Sequence, residues 1–186
     1  MRSLPRLEFR PARTRLDQLR QNLPTSDAVV IADASPFVHL NRIGRIDLLP
    51  ALFVRVSVPT MVATEVGRGS VHFPGIDVRA LSWVTVLPDR SDPDIAADPS
   101  LHVGEIAALS LARATPNHLL IIDDLAGRTA AQRLRLRFIG TAGAVIRARK
   151  EGIIPSAAIV LDALAANGFR LAADIRKVLL DVVGEA

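Results

Sequence analysis

The chain has no cysteine and no tyrosine, one Trp, two Met and four His in 186 residues. Without Cys there can be no disulfide, no thiolate nucleophile and no Cys-ligated zinc or iron–sulfur centre, so a metal ion could be held only by carboxylates or histidines. A reducing compartment suits that composition, and a cytoplasmic location is expected. His39, His72, His102 and His118 fall in separate segments without paired ligand spacing, which argues against zinc. Aromatic residues make up only 4% of the chain, too few for a protein that grips single strands by stacking bases on aromatic rings. No apolar run reaches the roughly 18 residues of a membrane helix, and the Arg-bearing N-terminus lacks the apolar centre of a secretory signal, so no membrane association is expected. Neither G-x-G-x-x-G nor G-x-x-x-x-G-K-[ST] occurs, which disfavours dinucleotide-binding and P-loop folds.

What is present is a 49% hydrophobic chain of the length of one ordinary domain. Its charge is unevenly spread. Residues 1–20 carry six Arg against Glu8 and Asp17, whereas the remaining 166 residues balance 17 basic against 17 acidic side chains. Only Lys150 and Lys177 are lysines, a bias that codon usage explains as well as phosphate binding does. Residues 1–27, with Pro5, Pro11 and Pro24 and scattered apolar positions, read as a mobile or loosely docked basic extension. Residues 28–186 read as the domain.

From residue 28 the pattern alternates. "AVVIA" (28–32) is a short continuous apolar run of the kind that forms a strand covered on both faces. "SPFVHLNRIG" follows with Ser35 as N-cap, Pro36 at the first helical position and Gly44 at the exit. "LFVRVSV" (52–58) and "PTMVATEVG" (59–67) repeat strand and helix, and "WVTVL" (83–87) is a third strand, with Trp83 in the core. After a Pro- and Asp-rich loop at 88–100, "HVGEIAALSLARA" has helical apolar spacing. "HLLII" (118–122), helical "LAGRTAAQRLR", the short strand "RFIG" and helical "TAGAVIRARKEG" complete the series, with two further helices near 156–166 and 172–183. This alternation predicts an α/β fold in which a parallel sheet lies between helices. Functional groups in such sheets gather beyond the carboxyl ends of the strands.

Asp33 and the pair Asp123 and Asp124 lie at two such ends, and Glu65 and Glu105 sit in helical stretches that are otherwise apolar or small. Taken alone, each Asp could be a helix cap. Together, carboxylates converging at one sheet end would repel one another unless cations neutralised them, which suggests Mg²⁺ or Mn²⁺ and metal-assisted phosphodiester cleavage. His39 reads as a surface or partly buried histidine, with a local general base as the alternative. Arg128 could hold a phosphate or pair with a carboxylate, and Arg147, Arg149 and Lys150 read as a solvated last helical turn.

The ordered set "IADASPFVHLNRIGRIDLLPALFVRVSVPTMVATEV", "LHVGEIAALSLA", "LLIIDDLAGRTAAQRLRLRFIGTAGAVIRARKEGIIPS" and "LDALAANGFRL" resembles the PIN-domain superfamily over about residues 28–183. The similarity is to a prokaryotic branch related to the ribonucleases of type II toxin–antitoxin modules. It implies a three-layer α/β/α sandwich and a metal-dependent endoribonuclease, with catalytic positions at Asp33, Glu65, Glu105 and Asp124 and metal ligands among Asp33, Glu105, Asp123 and Asp124. Between the neighbours, Asp124 is favoured as the metal-facing acid and Asp123 is kept. Glu105 departs from the Asp that many relatives carry. Ser35 matches a small polar residue able to bond a metal water or the Asp itself, and Thr141 a helix start whose free amides could receive an anion. The resemblance also implies a homodimer, an RNA substrate and, for a toxin, a cognate antitoxin. The alternative is a catalytically silent binding module. A haloacid-dehalogenase-like phosphotransferase would want an acid where Ser35 stands, and a receiver domain a late Lys that is absent.

Overall fold

The computed structural model describes residues 28–69 and 74–186. The expected N-terminal extension and His72 lie outside these residues.

Five short strands form one all-parallel sheet: β1 (Val29–Ala32), β2 (Val56–Pro59), β3 (Val84–Leu87), β4 (His118–Ile121) and β5 (Phe138–Ile139), in the spatial order β3-β2-β1-β4-β5. The two central strands pair along their whole length, from Val29 opposite His118 to Ala32 opposite Ile121. Successive residues Ile31 and Ala32, and likewise Leu119 to Ile122, are fully buried. Burial of both alternating faces requires a layer of helices on each side, the reason the runs are continuously apolar. The result is the three-layer α/β/α sandwich expected.

The helices are α1 (Ser35–Arg42), α2 (Leu48–Phe53), α3 (Thr60–Arg68), α4 (Pro93–Ala96), α5 (Val103–Arg113), α6 (Leu125–Arg133), α7 (Thr141–Lys150), α8 (Ala157–Ala166) and α9 (Ala173–Asp181). Helices α3, α4 and α6 pack on α5, whereas α1, α2, α8 and α9 gather around α7. Phe37 of α1, fully buried, stacks on Trp83 at 6.0 Å between ring centroids. Trp83 is half-buried and precedes β3 rather than lying in it.

Three local expectations change. Leu52 and Phe53 belong to α2, not to β2: "LLPALF" buries Leu48, Leu49, Leu52 and Phe53 on one helical face, and a short apolar run does not itself distinguish helix from strand. The loop at 88–100 contains α4, capped by Asp92, whose side chain accepts from the Asp94 amide. Arg147 is not solvated. Its guanidinium lies over the Phe53 ring at 5.1 Å and donates to Glu151.

Candidate active site

The sheet order reverses between β1 and β4: from β1 the chain moves outward through β2 and β3, then returns to β4 on the other side of β1. Such a switch point, at the carboxyl ends of β1 and β4, is where α/β sheets gather functional groups. Asp33 is the first residue past β1, and its amide donates to the Ile121 carbonyl at 3.1 Å, extending the ladder by one bond. Asp123 follows β4 by two residues. The two central strands therefore deliver these acids to the same end of the sheet, side by side.

Four of the five carboxylates are held by the start of a helix. Asp33 is only 2% exposed; its Oδ1 accepts from the Ser35 amide at 2.9 Å and its Oδ2 from the Ser35 hydroxyl at 3.1 Å. Of the roles expected of it, Ser35 makes the bond to the Asp itself and not the cap. It is the first residue of α1 and makes no side-chain cap; its hydroxyl fixes Asp33, and Asp33 receives the helix amide. Asp123 is half-buried and takes the Thr141 amide on Oδ1 at 2.8 Å and the Thr141 hydroxyl on Oδ2. Thr141, fully buried at the start of α7, thus offers no free amide to an external anion, because the chain's own Asp123 already occupies it. Asp124 is exposed and caps α6, accepting from the Ala126 and Gly127 amides at 2.7 and 3.2 Å. Glu105, 8% exposed, reaches back from α5 to accept from the His102 amide at 3.0 Å. Glu65 is exposed on α3.

The helices come close enough to join these acids because residues at their first turns lack side chains. A Cβ on Gly104 would stand 2.3 Å from Glu65 Oε2, so α3 meets α5 there through a carboxylate, and one on Gly127 would stand 2.4 Å from Ile122 Cδ1, so that glycine lets α6 close on the end of β4 beside Glu105. At Gly140, before α7, a Cβ would stand 2.8 Å from Asp123 Oδ1.

Electrostatics bind the group together. Burial pushes the Asp33 carboxyl well above the ordinary range, and the charges of Asp123 and Glu105 push it further against the opposing Ser35 hydrogen bonds. Burial also raises Glu105, against the His102 amide, with Asp124 and Glu65 adding to the rise. Asp123 is raised by burial despite its two bonds from Thr141 and the nearby positive charges of His39 and Arg128. Both neighbours of the "IIDD" pair thus take part, Asp123 acting on Asp33 and Asp124 acting on Glu105. His39, half-buried on α1 and edge-on to Phe169 at 5.0 Å, has a buried Nδ1 without a hydrogen-bond partner. Burial lowers its pKa and Asp123 opposes that shift. Its nearness to Asp123 across the fold was not visible in the linear sequence. Arg128 stands one turn into α6, and its charge acts on Asp123.

A five-stranded parallel sheet in this order, with acids following its two central strands, meets a direct comparison: the family model of the PIN domain matches residues 29–185. The chain is a PIN domain. No curated protein and no solved structure matches it. PIN domains are generally nucleases, and membership gives this chain a nuclease-type fold whose acids lie where α/β sheets place their chemistry. No helix among the described residues is long and apolar enough to cross a membrane.

Proposed function

We propose that this PIN domain is a metal-dependent endoribonuclease that cleaves RNA phosphodiesters at the cluster of Asp33, Glu65, Glu105, Asp123 and Asp124, with Mg²⁺ or Mn²⁺ as cofactor. The observation that carries the reading is Asp33: a buried carboxylate destabilised by two further acids, with no Lys or Arg salt-bridged to any of the five among the described residues. The charges of His39 and Arg128 near Asp123 stand against five carboxylates without salt-bridging any of them among the described residues, so the site suits a further cation from outside.

The donor set tests that fit. Among the described residues no three acidic or histidine side chains converge at ligand distance on one point. Mg²⁺ does not need such a cage, since it commonly takes one or two carboxylates and completes its shell with waters and substrate phosphate. Asp33 and Asp123 suit the role of that pair, and Glu105 and Asp124 can serve further waters or a second position. When bound, the ion would polarise a phosphoryl oxygen and lower the pKa of a coordinated water. Ser35 and Thr141 would hold the two central carboxylates in fixed orientation, as hydrogen-bonded outer groups do for metal ligands. Arg128 would meet a non-bridging phosphoryl oxygen from the side of Asp123. The one-carbon-longer arm of Glu105 starts from a helix rather than a strand end and still reaches the group.

The experiment is cleavage of an end-labelled RNA panel with Mg²⁺ or Mn²⁺, with EDTA, and with a folded Asp33→Asn variant. Cutting that requires both metal and Asp33 supports the reading. An intact panel together with no metal binding by calorimetry would point instead to a catalytically silent binding module. Under the same proposal the partners are the RNA, a second copy of the chain and, if the enzyme serves as the toxin of a toxin–antitoxin module, a cognate antitoxin. A small adjacent gene whose product forms a complex with this chain and suppresses cleavage would support the last of these.

A further inference from the structure

Folding leaves six large apolar side chains exposed among the described residues: Val29, Val54, Met61, Val103, Leu125 and Ile159. Scattered singly, such residues need no explanation. Three of these are not scattered. Met61, Val103 and Leu125 stand in the first turns of α3, α5 and α6, and it is α3 that carries Glu65, α5 that carries Glu105 and α6 that Asp124 caps.

Those three helix starts adjoin one another. A Cβ on Gly104, the neighbour of Val103, would run into Glu65 and stand 3.7 Å from Val62, both of α3, and one on Gly127, two residues after Leu125, would stand 3.8 Å from the Glu105 carboxyl carbon. Gly104, Glu105 and Gly127 are buried, yet Val103 is 64% and Leu125 77% exposed. A closely packed junction thus turns aliphatic side chains out to solvent beside its acids. Met61 shares a face of α3 with Glu65, four residues on, and Leu125 shares a face of α6 with Arg128, three residues on, whose charge acts on Asp123.

Whatever covers this surface also covers the exposed carboxylates of Glu65 and Asp124, and must bring positive charge with it. A second copy of the chain that met the surface with its own would bring the same five acids and add like charge. A nucleotide strand fits better. Its phosphate arrives with the cation that the acids would hold, and the bases on either side of that phosphate present flat faces to neighbouring side chains.

We propose that Val103 and Leu125, with Met61 beside them, form the surface on which the bases flanking the scissile phosphate pack. This rests on the ribonuclease reading for its substrate, and it concerns binding rather than the chemical step. The aliphatic surface takes the part that aromatic rings play in other single-strand binders, in a chain with only 4% aromatic residues. Val and Leu carry no hydrogen-bonding group, so the contact grips any base and reads none.

The test compares two fluorescein-labelled 12-residue strands with equal numbers of phosphates, oligouridine and an abasic ribose-phosphate strand, in Ca²⁺, with a gel confirming that neither is cut during the measurement. Anisotropy gives their affinities for wild type, for the double variant Val103→Ser with Leu125→Ser, and for Ile159→Ser. The last removes a comparably exposed apolar side chain from α8, whose start is tied through Glu185 to the last turn of α7 and not to the acids. The expected result is that wild type and Ile159→Ser prefer oligouridine by about fivefold or more, while the double variant binds both strands alike, as wild type binds the abasic one. No preference in wild type would overturn the proposal, as would a preference that the double variant keeps or a wild type that binds neither strand. A double variant that changes from dimer to monomer in sedimentation and loses both strands equally would also overturn it, making the surface a contact between copies. The nuclease reading is judged separately: cutting that needs metal and Asp33, by a wild type without the preference, sinks this inference and leaves that reading standing, whereas a preference lost in the double variant, in a wild type that never cuts, does the reverse.

Discussion

Two parts of this molecule solve the same local problem in opposite ways. In both, a carboxylate receives the free amides at the start of a helix. Glu185 accepts from the Ala157 and Ala158 amides at 3.2 and 2.9 Å and from the Ser156 hydroxyl at 2.8 Å, at the head of α8, and Arg149 completes it at 2.6 Å. The Ala158 amide leads a set of bonds that pulls this carboxyl down to about 2. Asp33 and Asp123 also receive an amide and a hydroxyl each, but they are buried beside other acids and are raised. The difference teaches what a helix start can and cannot do. Amide donors orient a carboxylate anywhere, yet in the interior they do not offset desolvation and like charge without a cation. At Glu185 an arginine joins the amides, whereas no arginine forms a salt bridge with Asp33 or Asp123 among the described residues.

The comparison breaks most visibly at Asp33. Its carboxyl is raised, so the stability linked to it is fully present below the unfolded value of 3.8 and is lost as pH rises through the folded value. At pH 7 without metal, Asp33→Asn should therefore melt higher than wild type by several degrees, with a flatter dependence on pH above 4, while cleavage falls by more than the roughly 10–100-fold that an outer-shell change costs. Thermal melts in EDTA and in Mn²⁺ read both halves: the metal should raise the melting temperature of the wild type and leave the variant nearly unmoved. A wild type that melts no lower than the variant in EDTA would contradict the claim that the cluster lacks its counter-ion.

A smaller effect is expected at Thr141→Val, which removes the hydroxyl on Asp123 and keeps the amide bond. Metal affinity, measured by calorimetry, should fall about 10–100-fold with little change in melting temperature. The same loss at Glu185→Gln runs the other way. That carboxyl is depressed, so its contribution is present above the ordinary value of 4.5 and is lost as pH falls towards about 2. The variant should melt slightly lower at neutral pH, show a flatter acid limb between about pH 4.5 and 2, and cleave RNA as wild type does. An effect of Glu185→Gln on metal binding would erase the distinction between the two regions.

Much of this architecture is legible in the sequence because the fold uses continuous apolar runs for buried parallel strands and Pro or Gly at helix boundaries. "AVVIA" and "HLLII" mark the two central strands, and the acids behind them mark the site. The degenerate stretch is "LFVRVSV", whose apolar start reads as strand although Leu52 and Phe53 share the buried face of a helix with Leu48 and Leu49. Partnerships were illegible for another reason: Thr141 lies 18 residues from Asp123 and Gly104 lies 39 from Glu65, and no spacing rule links such pairs until the helices pack. For Ser35 the sequence offers a cap or a bond to the Asp two residues earlier, and only the folded chain decides for the bond to Asp33.

The bond from the Asp33 amide to the Ile121 carbonyl has a further meaning. Because it belongs to the strand ladder, the anchor points of Asp33 and Asp123 are gauged by the spacing between neighbouring strands, about 4.8 Å, and cannot drift without unzipping the middle of the sheet. Glu65 and Glu105 stand on helices instead, Glu65 exposed and Glu105 tied to the His102 amide. Of the five acids, Asp33 and Asp123 thus follow strand ends, Asp124 sits at a helix cap and Glu65 and Glu105 stand on helices, and an exchange of Asp for Glu is absorbed more readily on the last pair than behind a strand.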